Sequence, residues 1–554
     1  MATIVAARAQ RDLAVSDADG DLLSLTHIYT ATLVLGIGAL FGLLQGFSRA
    51  NLLVMPAWFD YYRMLTAHGV MMALVFTTFF ITGLFTYMTY KSIPRERSTR
   101  LGWVGYLTML LGTAMATVSI LSGDASVLYT FYAPLKASPL FYFGATFLIL
   151  GTWCVAADVA LNITWWKRTH VGEKTPLPAF IAATTMLMWV IATLGVVAEM
   201  ALLIPWSLGW TSGINVGLTR MLFWYFGHPL VYFWIMGAYA IWYTVVPTTF
   251  KGLVFSDALT RVAFIALLLL STPVGLHHQY LDPGISAGWK WLHTVVTYGV
   301  VIPSFMTAFA LFATFEIAAR KAGVRGFWKI VRWLPWKNPV FAGPALGMLL
   351  FIPGGFGGIV NNSYSMDVLV HNTMWIVGHF HITVGGPVAL TFIGATYGLV
   401  PALSGRMLYL PKLALIQVYT YFVGMVIMST AMHWAGLLGS PRRTSDVSYF
   451  GAHGASTWHA HMLWAAFGGT LVAISIGMFI VVATGTYFAN KRATEPQTFD
   501  FAETDPDAMA TPPALDRLGR WGLLAITLAV LAYAGPVIQQ IQAHSYLAPG
   551  LRTW

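Results

Sequence analysis

Val377-Gly378-His379-Phe380-His381 lies inside an apolar segment that begins near Thr373. Each residue of an α-helix turns about 100°, so two histidines separated by one residue point about 200° apart. They cannot share one metal, but each can bind a different large planar cofactor on opposite sides of the same helix, with Phe380 between them. Histidines at hydrocarbon depth are rare and costly unless they are liganded or paired. The weight of the motif therefore depends on whether the segment crosses a membrane.

Composition answers that question. Of 554 residues 57% are hydrophobic and 9% charged, against about 25% charged in a soluble domain. Thirteen apolar runs are long enough to cross about 30 Å of hydrocarbon, which takes about 20 residues each. They fall near 26–47, 64–90, 102–122, 139–166, 179–207, 216–247, 260–281, 290–317, 340–361, 372–402, 411–437, 458–488 and 519–543. The expected fold class is all-α, a polytopic membrane helix bundle forming one integral-membrane domain over 1–554. Residues 1–25 read as a polar N-terminal tail without a cleaved signal peptide. Residues 491–517 are charged and poor in apolar side chains, and read as a linker before the last span. The single cysteine, Cys154, excludes a disulfide framework and a cysteine-ligated cluster within this chain.

The net charge of +10 does not call for a nucleic acid. The N-terminus and the loops after even-numbered spans hold 23 of the 31 Lys and Arg, among them Lys91, Arg95, Arg97 and Arg100. That asymmetry predicts a cytoplasmic N-terminus and a periplasmic C-terminus in a prokaryotic cell membrane. Orientation then sorts the histidines by depth. His68 opens the second span, His228 lies about three turns into the sixth, His277 and His278 end the seventh, and His379 and His381 open the tenth. At about 1.5 Å per residue all six fall in the outer half of the bilayer. Six imidazoles at overlapping depth predict a multi-metal site. His228, His277 and His278 can form a three-nitrogen site with an open position, which suits copper, iron or zinc chemistry. His379 can ligate a macrocycle facing that opening, and His68 with His381 can saturate a second one for electron transfer alone. In His228-Pro-Leu-Val-Tyr232 the phenol lies one turn inward of the His228 ring, where it can supply a proton and an electron.

His228-Pro-Leu-Val-Tyr232, the His277-His278 pair and His379-Phe-His381, in this order, resemble the catalytic subunit of heme–copper oxygen reductases. The strings STPVGLHHQYLDPG (271–284), VHNTMWIVGHFH (370–381) and HWAGLLGSPRR (433–443) are similar to the B branch of that family, the ba3-type cytochrome c oxidases, and the resemblance covers essentially the whole chain. It implies the subunit I fold, with His68 and His381 on a low-spin, b-type heme and His379 on a high-spin, a-type heme. His228, His277 and His278 would hold one copper, with Tyr232 covalently joined to the His228 ring. Arg442 and Arg443 match the pair that binds heme propionates, which suits a charged rim, and Asp367 and His371 fit the same region more loosely. The resemblance further implies a subunit II carrying the electron-entry site, further small membrane subunits, membrane lipid around the spans, and cytochrome c or quinol as donor.

Tyr239 and Tyr243 follow Tyr232 inward along the sixth span, Ser304 and Thr307 share a face of the eighth, and Ser256 sits at the mouth of the seventh. Hydroxyls and trapped water can relay protons through apolar surroundings, and in the B branch matching residues line the single proton-input path. Leu230 replaces the Glu that the A branch carries, so a second, carboxylate-ended path is not expected. The function expected is that of a terminal oxidase reducing O2 to water, with proton uptake and pumping across the membrane. A nitric oxide reductase of the same superfamily is the alternative, kept open by Glu199 in the fifth span. A secondary transporter with histidine proton relays is a third reading. His453, His459 and His461 at the mouth of the twelfth span, and His27, His170, His293, His433 and His544, are read as interfacial or structural.

Overall fold

The computed structural model describes residues 2–56, 58–93, 99–543 and 547–552, with side chains from Ala18 onward. Arg95, Arg97 and His544 lie outside the described residues. Thirteen helices among them are long and apolar enough to cross a membrane, matching the thirteen apolar runs. The first begins earlier than the polar composition of 1–25 suggested: the helix runs unbroken over Ala2–Arg49, and its apolar part begins at Ala18. No Gly or Pro interrupts residues 2–19, so nothing in the backbone forces an earlier stop. Strand structure is confined, among the described residues, to Ile214–Asn215 paired with Leu547–Ala548, which ties the last residues to the Lys/Arg-poor end.

Small residues set how closely the helices approach. A Cβ on Gly112 of the third span would lie 2.5 Å from the Gly144 carbonyl of the fourth, and one on Gly144 would lie 2.7 Å from the Gly112 carbonyl. Gly424 and Gly468 join the eleventh and twelfth spans in the same reciprocal way. Within lipid such backbone contact replaces the hydrophobic drive that packs soluble helices. The second (Tyr61–Ser92) and sixth (Val216–Phe250) spans are the most deeply buried, so His68 and His228 come from the middle of the bundle.

Three of the histidine-bearing spans are irregular where the histidines sit. In the second span an α-helix ends at Gly69 and a π-helix covers Val70–Phe76, immediately after His68. In the tenth, the α-helix Met374–Phe380 gives way to a π-helix over His381–Gly385. The seventh breaks after Ser271, and His277 and His278 stand on a short 3-10 turn, Leu276–Gln279. Such irregular turns concentrate at functional positions because they re-aim side chains that a regular helix would spread.

The segment 491–517 carries no domain, and it is a fitted strap across the Lys/Arg-rich end. Phe499 is buried, Ala502 N–H donates to the Thr244 carbonyl at 2.6 Å, and Val254 N–H donates to Glu503 O at 2.8 Å. Its last residues are clamped by Arg261, whose side chain is 0% exposed. That guanidinium binds Asp257 (2.8 and 3.2 Å), Asp516 (2.9 Å) and the Thr175 carbonyl (2.6 Å), and lies over the Phe180 ring. Lys167 also contacts Asp516. Arg261→Leu leaves two buried carboxylates short of their cation, a loss of about 3 kcal/mol. The expected result is a lower thermal midpoint in detergent with unchanged optical spectra, and an unchanged midpoint would show the clamp to be idle.

Candidate functional site

Pro229 removes one backbone donor within the sixth helix, and Gly275 lets the seventh span pass against it. A Cβ on Gly275 would meet the Trp224 carbonyl and the Tyr533 hydroxyl at 2.3 Å. This close approach brings His277 and His278 onto His228. Nitrogen atoms of the three rings all lie within 4.8 Å of one another, with His228 Nδ1 and His278 Nε2 3.2 Å apart. His277 Nδ1 meets the Thr297 hydroxyl at 3.0 Å, and the His278 ring stacks on Trp224 at 3.9 Å. His228 Nε2 is buried with no hydrogen-bond partner. Metal–imidazole bonds of about 2.0 Å place ligand nitrogens up to about 4 Å apart, so the His228–His278 pair already has the spacing for a single ion and a small inward shift of the rings would close the set on it. The Tyr232 ring lies 4.7 Å from that of His228, centroid to centroid.

The cluster opens on a cavity of 660 Å³, within the range that encloses an organic cofactor. His379 also lines it, with Nδ1 held by the Thr383 hydroxyl (3.1 Å). A Cβ on Gly357 would come within 2.6 Å of that ring, so the ninth span must be bare there for the imidazole to fit. Most of the wall is aromatic and aliphatic, from Phe351, Phe356, Ile359 and Trp234 among others. One end is polar: Asp367 Oδ2 meets His371 Nδ1 at 2.8 Å beside Arg442, whose guanidinium donates to Asn372 Oδ1 at 2.9 and 3.2 Å. Burial, and then the neighbouring Arg443 cation, pull the Arg442 guanidinium down to about 10. It stays cationic at neutral pH and, among the described residues, makes no ion pair. An apolar slot with a basic rim suits a porphyrin and its propionates. Arg443 turns elsewhere, over the Tyr132 ring at 5.7 Å.

His68 and His381 face each other with rings 11° from parallel and centroids 6.2 Å apart. Each Nδ1 meets a backbone carbonyl at 2.8 Å, of Gly38 and Val377 respectively, which leaves both Nε2 atoms available as ligands. Two bonds of about 2.0 Å, with about 1.1 Å from each nitrogen to its ring centre, add to about 6.2 Å, the spacing of two imidazoles on one iron. Gly42 makes room for this pair, since a Cβ there would lie 2.7 Å from His68 Cε1. Phe380 stands between the two sites, lining the cavity and packing on Trp234 and Tyr129.

The hydroxyl series is brought together in part. Tyr239 faces Ser304 and Tyr243 faces Thr307, yet Tyr243 Oη is buried without a hydrogen bond, and both eighth-span hydroxyls donate to their own helix. Ser256 caps the seventh helix, its Oγ accepting from Leu259 N–H at 3.2 Å. Glu199 does not line the cavity: it is fully buried elsewhere in the bundle with both oxygens unpartnered. His453 and His459 are exposed, and His27 and His293 are buried in packing contacts with Thr82 and Tyr533. Thr383 was readable as a partner of His379 from its i+4 spacing. Thr297 and Trp224, from other elements, carried no such signal.

The family model for cytochrome c and quinol oxidase polypeptide I matches residues 23–471. Cytochrome c oxidase subunit 1 of Thermus thermophilus is 40% identical over 547 residues, 96% of each chain. That of Corynebacterium diphtheriae is 26% identical over 89% of this chain and 87% of its own. A solved heme–copper terminal oxidase dimer superposes with a TM-score of 0.91 at 35% identity, covering 97% of this chain and 95% of that one. A histidine layer around one cavity, on thirteen membrane-spanning helices and with these relatives, leaves one conclusion: the chain belongs to the cytochrome c and quinol oxidase polypeptide I family and is a terminal oxidase subunit, an oxidoreductase of the respiratory chain.

Proposed function

We propose that this chain is a B-branch oxygen reductase in which His228, His277 and His278 hold copper, His379 holds a high-spin a-type heme, and His68 with His381 hold a low-spin b-type heme. The observation that carries the reading is the shared cavity, lined by the three-histidine cluster on one part of its wall and by His379 on another. When bound, these groups supply one-electron transfer and the four-electron reduction of O2 to water.

The remaining work belongs to the side chains. Thr297 and Thr383 fix the tautomers of His277 and His379, so that each ring presents its other nitrogen. Tyr232, in ring contact with His228, keeps a proton and an electron beside the copper ligands. Trp224, Trp234 and the phenylalanines exclude bulk water from the cavity. Arg442, with Asp367 and His371, holds carboxylates at the rim, and Arg443, over the Tyr132 ring, is the second cation of that propionate-binding pair. Protons enter from the Lys/Arg-rich face, taken as cytoplasmic, at Ser256. They move by way of Thr307, Tyr243, Ser304 and Tyr239, with water bridging the gap at Tyr243 Oη. Electrons enter from the other face through a subunit II that accepts them from cytochrome c or quinol.

The test is oxygen consumption by the assembled complex with each reduced donor, together with metal content. Rapid, cyanide-sensitive O2 uptake with copper present supports the reading. Faster reduction of nitric oxide with iron in place of copper would favour the reductase, which the location of Glu199 away from the cavity argues against. Gly42→Val offers a local check, because its side chain must displace the His68 ring. The reduced-minus-oxidised spectrum should lose the bis-histidine heme and keep the CO-reactive one; an intact low-spin signal would remove His68 from its assigned role.

A further inference from the structure

Where the eighth span reaches the Lys/Arg-rich end, the chain carries six cations from Arg320 to Lys337, and no acidic residue occurs between 317 and 366. Two of the six are committed: Arg320 pairs with Glu316 at 2.5 Å and Lys321 with Asp505 at 3.0 Å. Arg325, Lys329, Arg332 and Lys337 are exposed and make no ion pair among the described residues.

These four cations sit on a fixed mount. The short helix Phe327–Trp333 is pinned on one side, where Trp333 packs on Phe250 (5.9 Å) and Trp336 on Phe341 (5.2 Å). The Trp336 indole N–H donates to the Val331 carbonyl at 2.6 Å, and the Trp336 carbonyl accepts from the Tyr419 hydroxyl at 3.1 Å. On the other side Phe327 and Trp328 stand 64% and 72% exposed. Indoles and phenyl rings placed at a helix end prefer the headgroup level of a bilayer. The eighth span leading to this point is the least embedded of the thirteen, and it presents an unbroken outward stripe of Ile302, Phe305, Phe309 and Phe312. An apolar track that ends in unpaired cations and half-wet aromatics has the two-part chemistry of a phospholipid.

We propose that this corner is a binding site for anionic phospholipid, with the phosphate headgroup held by Arg325, Lys329, Arg332 and Lys337 and the acyl chains laid along the Phe305–Phe312 stripe. Phe305, Phe309 and Phe312 also line the cavity shared by the three-histidine cluster and His379, so the acyl track runs along the edge of that cavity, whereas the four headgroup cations lie outside it. Each cation close to an anionic leaflet contributes about fivefold in affinity.

The assembled oxidase in detergent, delipidated and titrated with phosphatidylglycerol or phosphatidylcholine under native mass spectrometry, tests it. The parent should retain phosphatidylglycerol in preference to phosphatidylcholine. R325Q/K329Q/R332Q/K337Q should lose that preference by at least about tenfold with its heme spectrum intact, and the charge-conserving R325K/R332K should keep it. Equal phosphatidylglycerol binding in the neutralised variant would overturn the site. So would displacement of the lipid by millimolar inorganic phosphate, which would mark a plain anion site. Protection of the four side chains by a partner subunit, with no lipid bound, would assign the surface to protein instead.

Discussion

Tyr232→Phe is expected to keep both hemes and the copper while oxygen reduction falls by about 10²- to 10⁴-fold, the usual contribution of a positioned proton donor. The ring of Tyr232 touches that of His228 at 4.7 Å and lines the cavity, so its hydroxyl lies within the site and is not part of its support. Phenylalanine preserves the apolar bulk, which makes a folding defect a poor explanation for lost turnover. Metal analysis, the CO-bound spectrum and O2 consumption on one preparation separate the two effects. Full activity in this variant would remove Tyr232 from the chemistry. A simultaneous loss of copper would make it a structural neighbour of His228 only.

His278→Ala is expected to abolish copper binding and, with it, oxygen reduction, while both hemes remain. Loss of a mere supporting contact around a metal costs about 10- to 100-fold in affinity, and removal of one of three ligands costs more. His278 is the informative choice among the three, because among the described residues its ring nitrogens meet only His228, at 3.2 Å, whereas His277 is tied to Thr297 of another span; alanine removes one stacking contact, on Trp224. Its loss should therefore leave helix packing in place. Copper retained at one per chain in this variant would show that the ion sits elsewhere.

Much of this was readable from residues alone, and the reasons are physical. A bilayer demands about 20 apolar residues per crossing, so thirteen crossings could be counted, and the Lys and Arg bias turned them into an ordered stack. Once stacked, His68, His228, His277, His278, His379 and His381 had to share a layer. The i, i+4 relation placed Tyr232 against His228 because that stretch is regular helix.

What escaped the reading was irregular or long-range. The alternation of His379 and His381 was argued from an unbroken α-helix, whereas a π-turn begins at His381; the two rings still serve different sites because His381 is captured by the Val377 carbonyl and faces His68. The break before His277 is signalled only by Pro273 and Gly275, which say that a span bends and not where it bends to. Thr297 reaches His277 from a different span, a contact no local period encodes. The segment 491–517 looked like a linker because it is poor in apolar residues, yet a buried phenylalanine, Phe499, an aspartate on Arg261, Asp516, and backbone bonds to Thr244 and Val254 fasten it.

The central claim is that these imidazoles hold two hemes of unequal coordination and one copper. The most direct test is cofactor stoichiometry on the purified oxidase: heme by pyridine hemochrome, copper by elemental analysis, and a carbon monoxide titration of the reduced protein. The account predicts two hemes and one copper per chain, with one carbon monoxide bound per chain, because His68 and His381 would both be ligands of one heme, whereas His379 would be the one histidine ligand of the other. Two carbon monoxide molecules per chain, or a single heme, or no copper, would contradict it.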